Sequence, residues 1–159
     1  FARQVPPEYT EFDLHTWLKD TLLLTHSQAH KYNVEIILQD TPNLLVNGDR
    51  NQLQQVLVNL LMNAIQASKS GDSINVSTST DTDYFNIVIE DQGSGIKQEN
   101  KDKLFDPFFT TKNVGEGSVL GLSISIGIMQ YHNGSLTLNN NSYGGVNATM
   151  KLPLNAVHP

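Results

Sequence analysis

The chain has 159 residues, a formal charge of -6 and no cysteine, so it suits one domain with a buried core and excludes disulfide frameworks and thiolate metal sites. Ten Lys and Arg stand against sixteen Asp and Glu without a basic cluster, which argues against sequence-independent nucleic-acid binding. No apolar run is long enough to span a membrane, FARQVPPEYT at the start lacks a signal-like apolar segment, and the expected location is cytoplasmic.

Residues 1–12 read as a lead-in broken by Pro6 and Pro7, the tail of an absent upstream element, and residues 13–159 as the domain. Asp13 is a candidate N-cap for a helix burying Leu14, Trp17, Leu18 and Leu22. VEIILQ (34–39) reads as a strand, and 44–46 as a short second one. A long helix follows over about 49–68, with Leu53, Val56, Leu57, Leu60, Leu61, Ala64 and Ile65 on one face. After a turn at Gly71-Asp72 come strands from Ser73 and from Tyr84. Residues 92–118 form a connection too long for mere linkage, which reads as a lid. A helix over about 119–132 stops at Asn133-Gly134, and strands from Ser135 and Val146 close the chain. The predicted class is α/β of the α+β kind: a two-layer sandwich, its mixed sheet covered on one face by helices.

Four stretches carry chemistry. The long helix has an uncharged polar stripe of Gln52, Gln55, Asn59, Asn63 and Gln66. Solvated faces normally carry Lys and Glu, and asparagine is a mediocre helix former, so the stripe reads either as a plain surface or as a site. Asn59 and Asn63 lie one turn apart, and an amide carbonyl is a reasonable Mg²⁺ ligand beside substrate phosphates. Next, Asp91-Gln92-Gly93-Ser94-Gly95-Ile96 ends a strand. Asp91 can accept from an exocyclic amine, and Gly93 and Gly95 let a flat ring approach, although most such turns are hairpin chemistry. FDPFFTTK (105–112) places three phenylalanines before Lys112, either as a satellite apolar cluster or as a latch aiming a cation at an anion. GEGSVLGL (115–122) then runs into the last helix, with Ser118 a plausible N-cap and the helix N-terminus open to phosphate.

In this order the four stretches resemble the N, G1, F and G2 boxes of sensor histidine kinases, whose ATP-binding domains share a superfamily with gyrase, MutL and the heat-shock chaperone ATPases. The resemblance runs from about Phe12 to Leu154, and NAIQAS with FDPFFTTK looks most like the nitrogen-regulation sensor kinases. It implies an ATP-dependent protein-histidine kinase, with ATP and Mg²⁺ as cofactors. Its expected partners are a separate phosphoacceptor-histidine domain of the same homodimeric protein and a response regulator. Position by position, Asn63 matches the Mg²⁺-binding asparagine, and Asn59 the place where gyrase-like relatives carry a water-activating glutamate. Asp91 matches the adenine reader, with Gly93, Gly95 and Ile96 shaping the pocket. Phe108, Thr110, Thr111, Lys112 and Gly115 fall in the lid, and Gly117, Ser118, Leu120, Gly121 and Leu122 in the segment that meets phosphates.

Three positions depart from the pattern: Gln66 where many relatives have a cation, Val146 where many have threonine or alanine, and Val119 where glycine is usual. Were φ positive at 119, a β-branched residue there would cost on the order of 1–3 kcal/mol, and Val119→Gly would recover affinity. Were 119 the first helical residue, the loss would be small. A module of the same fold with impaired kinase activity is the alternative reading. None of His15, His26, His30, His132 and His158 stands in a phosphoacceptor context, so the fragment alone should autophosphorylate little.

Overall fold

The computed structural model describes residues 8–93, 119–142 and 144–154. Strand β1 (Thr10–Asp13) leads into α1 (Leu14–Lys31), followed by β2 (Glu35–Leu38), β3 (Leu45–Gly48) and α2 (Arg50–Ala67). Then come β4 (Ser73–Thr80), β5 (Tyr84–Glu90), α3 (Val119–Tyr131), β6 (Ser135–Asn140) and β7 (Val146–Pro153). Among the described residues the main sheet has five strands in the order β2-β4-β5-β7-β6, antiparallel except for the β2–β4 pair. The mixed two-layer sandwich expected from the sequence is therefore the fold, with α2 packed between α1 and α3 on one face of the sheet.

Strand alternation builds the core. Ile74 and Val76 on β4, Phe85, Ile87 and Ile89 on β5, and Ala148, Met150 and Leu152 on β7 all point toward the helices. The seven residues expected to form the buried face of α2 are its buried residues. Asp49 caps α2 by accepting from the amides of Asn51 and Gln52, both at 3.0 Å. Asp13 caps α1 by accepting from Thr16 N at 2.9 Å, as expected.

One strand, β1, differs from the sequence reading. Thr10–Asp13, most of it within the stretch read as lead-in, pairs antiparallel with β3 in a separate two-stranded sheet. β2 and β3 lie in different sheets, with β2 a parallel edge beside β4. Pro42 lies between them and, lacking an N–H, is unsuited to a continuous hairpin ladder. At the end of α3, Asn133 rather than Gly134 takes the left-handed conformation, with φ 60°. Gly134 is needed for space, since a Cβ there would lie 3.1 Å from Leu152 Cδ2 and closer still to the Lys151 carbonyl.

Candidate functional site

Asp91 follows β5 directly and is 5% exposed. Its Oδ1 accepts from Gly93 N at 2.9 Å and from Val146 N at 3.0 Å, so both amides close on one oxygen. The main chain is held as well: Asp91 N donates to Val146 O at 3.0 Å, and Asn141 Nδ2 donates to Asp91 O at 3.0 Å. Burial raises the carboxyl above its ordinary value, the two amides oppose the rise, and the charges of Asp72 and Glu90 add to it.

Two glycines frame this carboxylate by close approach. A Cβ on Gly93 would lie 2.5 Å from Ala67 O, so the turn after β5 seats directly on the C-terminal end of α2. A Cβ on Gly145 would lie 2.6 Å from Asp91 Oδ1. Asn141 supports the same corner, its Oδ1 accepting from Gly145 N at 3.0 Å. Asn141 and Gly145 had no signal in the sequence beyond those of an ordinary β6–β7 turn.

Asn59 and Asn63 are both half-buried on α2, whereas Gln55 and Gln66 in the same stripe are exposed. Asn59 Nδ2 donates to Oγ of Ser125, a wholly buried residue of α3, at 3.2 Å. Positions 59, 63 and 67 succeed each other at one-turn intervals, so both asparagines and the Asp91 turn line one side of α2. The helix rise makes that line about 12 Å long.

The last helix begins at Val119, and Leu120 and Gly121 follow within its first turn. Among the described non-glycine residues only Asn33 and Asn133 have positive φ. Val119 is the first residue of that helix, the placement for which the sequence reading expects a small loss. Leu122 is half-buried and packs on the core. Gly95, Ile96, Phe108, Thr110, Thr111, Lys112, Gly115, Gly117 and Ser118 lie outside the described residues.

These residues suit a magnesium nucleotide. Among the described residues no group of three or more His, Cys, Asp or Glu could hold a metal alone, so an ion here needs amide oxygens and ligands brought by a substrate. The half-buried amides of Asn59 and Asn63 meet that requirement, and the cramped, amide-held Asp91 offers a fixed acceptor to a flat ring. A cleft of about 730 Å³ between α1 and β2, with Leu22, His26, His30 and Ile36 in its walls, contains none of these residues.

The buried His132 was not singled out by its sequence context. Its Nε2 accepts from Asp49 N at 3.0 Å, and its Nδ1 lies 2.8 Å from Ile128 O, which fixes the neutral tautomer protonated at Nδ1. Tyr9 stacks on the ring at 5.1 Å.

Residues 48–156 match the family described as histidine kinase-, DNA gyrase B- and HSP90-like ATPase. Sporulation kinase B of Bacillus subtilis is 32% identical over 158 residues, covering 99% of this chain but 36% of the relative. The chain thus spans about a third of that protein. The nucleotide-free catalytic domain of histidine kinase ThkA superposes with a TM-score of 0.83 at 32% identity, covering 92% of this chain and 96% of that one. ThkA in complex with response regulator protein TrrA gives a TM-score of 0.78 at 30% identity, covering 93% and 42%.

Proposed function

The chain belongs to the histidine kinase-, DNA gyrase B- and HSP90-like ATPases as a histidine kinase catalytic, ATP-binding domain, and from that premise we propose where ATP sits and what each residue does to it. Asp91 reads the exocyclic amine of adenine through Oδ2, because Oδ1 is committed to two amides. Gly93 and Gly145 let the flanking turns close on Asp91 and α2, which holds the carboxylate in place for the ring. From there the nucleotide runs along α2 toward Asn63 and Asn59, and the one-sided line they share suits a ligand with a base at one end and phosphates at the other.

Asn63, with Asn59 beside it, would hold Mg²⁺ through the side-chain carbonyl. The ion supplies charge neutralisation of the phosphate oxygens. The segment 115–122 and Lys112 would meet the terminal phosphates, with Gly95, Ile96 and Phe108 to Thr111 completing the lid. Neither asparagine can act as a general base, which disfavours water activation and leaves the γ-phosphate for a better nucleophile. That nucleophile is an imidazole nitrogen of a separate phosphoacceptor domain. Its attack forms the N–P bond while the bond from Pγ to the β,γ-bridging oxygen breaks, and ADP leaves. The domain's own contribution is positioning and charge stabilisation.

A homodimeric, cytoplasmically placed whole protein that passes phosphate to a response regulator follows from this reading. ThkA, solved with a response regulator, is the relative that supports that last partner. The finer likeness to nitrogen-regulation kinases rests largely on the FDPFFTTK stretch.

The observation that carries the proposal is the buried Asp91 carboxylate with its paired amides on one oxygen. Calorimetric titration with a non-hydrolysable ATP analogue tests it. Binding should require adenine, with the guanine analogue at least tenfold weaker, and Asp91→Asn should lose most of the affinity. Equal affinity for the two bases would refute the assigned orientation.

A further inference from the structure

We propose that Ser125 is a positioning residue that anchors the Asn59 amide at the phosphate and metal side of the site. Ser125 is wholly buried on α3, and its Oγ receives Asn59 Nδ2 at 3.2 Å across the α2–α3 contact. A side-chain amide is planar, with a donor at one end and an acceptor at the other. Tying the nitrogen to Ser125 leaves Oδ1 as the end presented elsewhere. Without that tie the amide loses its anchor and can swing or turn, so its oxygen is no longer held toward a cation.

The placement has a second consequence. Ser125 lies on the same helix as the phosphate segment's Leu120, Gly121 and Leu122. A shift of α3 therefore moves the anchor of Asn59 together with the helix N-terminus, so the two sides of the phosphate site are set as a unit. The plainer role, an interhelical hydrogen bond that merely stabilises packing, makes a different prediction, because it concerns folding and not the metal.

The inference rests on the magnesium-nucleotide reading, and the experiment separates the two. Affinity for a non-hydrolysable ATP analogue is measured with Mg²⁺ and with excess EDTA, for the wild-type chain and for Ser125→Ala, Ser125→Thr and Ser125→Cys. The expected result is that Ser125→Ala leaves EDTA-state affinity within about twofold while the gain on adding Mg²⁺ shrinks by about five- to tenfold, the weight of one neutral hydrogen bond. Ser125→Thr, which keeps the hydroxyl, should restore the gain, and Ser125→Cys, a weak acceptor of similar size, should not. Should Ser125→Ala fail to fold, the contrast between Thr and Cys decides alone. Equal loss in both states, or no loss in either, overturns the role of Ser125 and leaves the site assignment standing. No nucleotide binding by the wild-type chain in either state overturns both.

Discussion

Gly144 and Gly145 are neighbours with different reasons for being glycine, and the difference gives a residue-scale test of the site. Gly144 has φ 91° with open space around the Cβ direction, so Gly144→Ala introduces backbone strain and no collision. A Cβ on Gly145 instead presses into Asp91. Gly145→Ala should destabilise by about 1–3 kcal/mol, as overpacking does, and should displace the carboxylate. In denaturant titration both variants should lose stability, but only Gly145→Ala should lose nucleotide affinity, by tenfold or more. Equal affinity loss in the two would mean that the β6–β7 turn, and not Asp91, is what the nucleotide reads. Asp91 itself also couples stability to pH. Its folded pKa is raised, so its contribution to stability is fully present below the unfolded value near 3.8 and is lost as pH rises through the folded value. At neutral pH burial of the charge works against folding, offset in part by the amides of Gly93 and Val146.

At the scale of elements, His132 joins three of them. It ends α3, accepts the backbone amide of the α2 cap residue, and carries the stacked ring of Tyr9, whose neighbour Glu8 donates N–H to Asp49 Oδ2 at 2.8 Å. Gly48 makes room for it, since a Cβ there would lie 3.1 Å from the imidazole. The groups facing the ring are Tyr9, Asp49 and Tyr131. Burial lowers the His132 pKa below 6.5, against smaller opposing effects from the Ile128 carbonyl and the Asp49 charge. A lowered folded pKa means that the unfolded chain binds the proton first. The contribution is thus complete above the unfolded value and is lost as pH falls through 6.5 toward the folded value. The melting temperature should drop on acidification from pH 7 to 5, and His132→Gln, which can still accept from Asp49 N, should flatten that drop. An unchanged pH profile in the variant would remove His132 as its source. No sequence signal marked this joint, because its partners are 83 residues apart in the chain. The same separation hid β1, whose four residues TEFD show no clean alternation and become a strand only by pairing with β3. By contrast α2 was legible because its buried face repeats at helical period, and Asp91 because a carboxylate before spaced glycines is local. Ser125 was invisible for the opposite reason: within the apolar run of α3 a serine signals nothing until Asn59 is seen opposite it.

For the molecule as a whole, the question is whether it can phosphorylate itself. His132 is buried with both ring nitrogens engaged, so neither can attack phosphorus. His15, His26 and His30 all lie on α1, which packs on the side of α2 away from α3, so α2 stands between them and the phosphate segment at the start of α3. Phosphoryl transfer needs the nucleophile in line and about 3–3.5 Å from phosphorus, and no described histidine is placed for that. The described histidines thus favour the proposed separate phosphoacceptor domain as the source of the nucleophile. Incubated with γ-labelled ATP and Mg²⁺, the chain alone should take up almost no label. Adding a separately produced phosphoacceptor domain should yield acid-labile, base-stable label on that domain, at a rate rising with its concentration. Asn63→Ala should abolish the transfer while leaving adenosine binding at Asp91 largely intact, because the proposed base and phosphate ends of the site lie at different points along α2. Strong labelling of the isolated chain on any of its own histidines would show instead that an internal acceptor can reach the γ-phosphate, and the division of labour between two domains would fail.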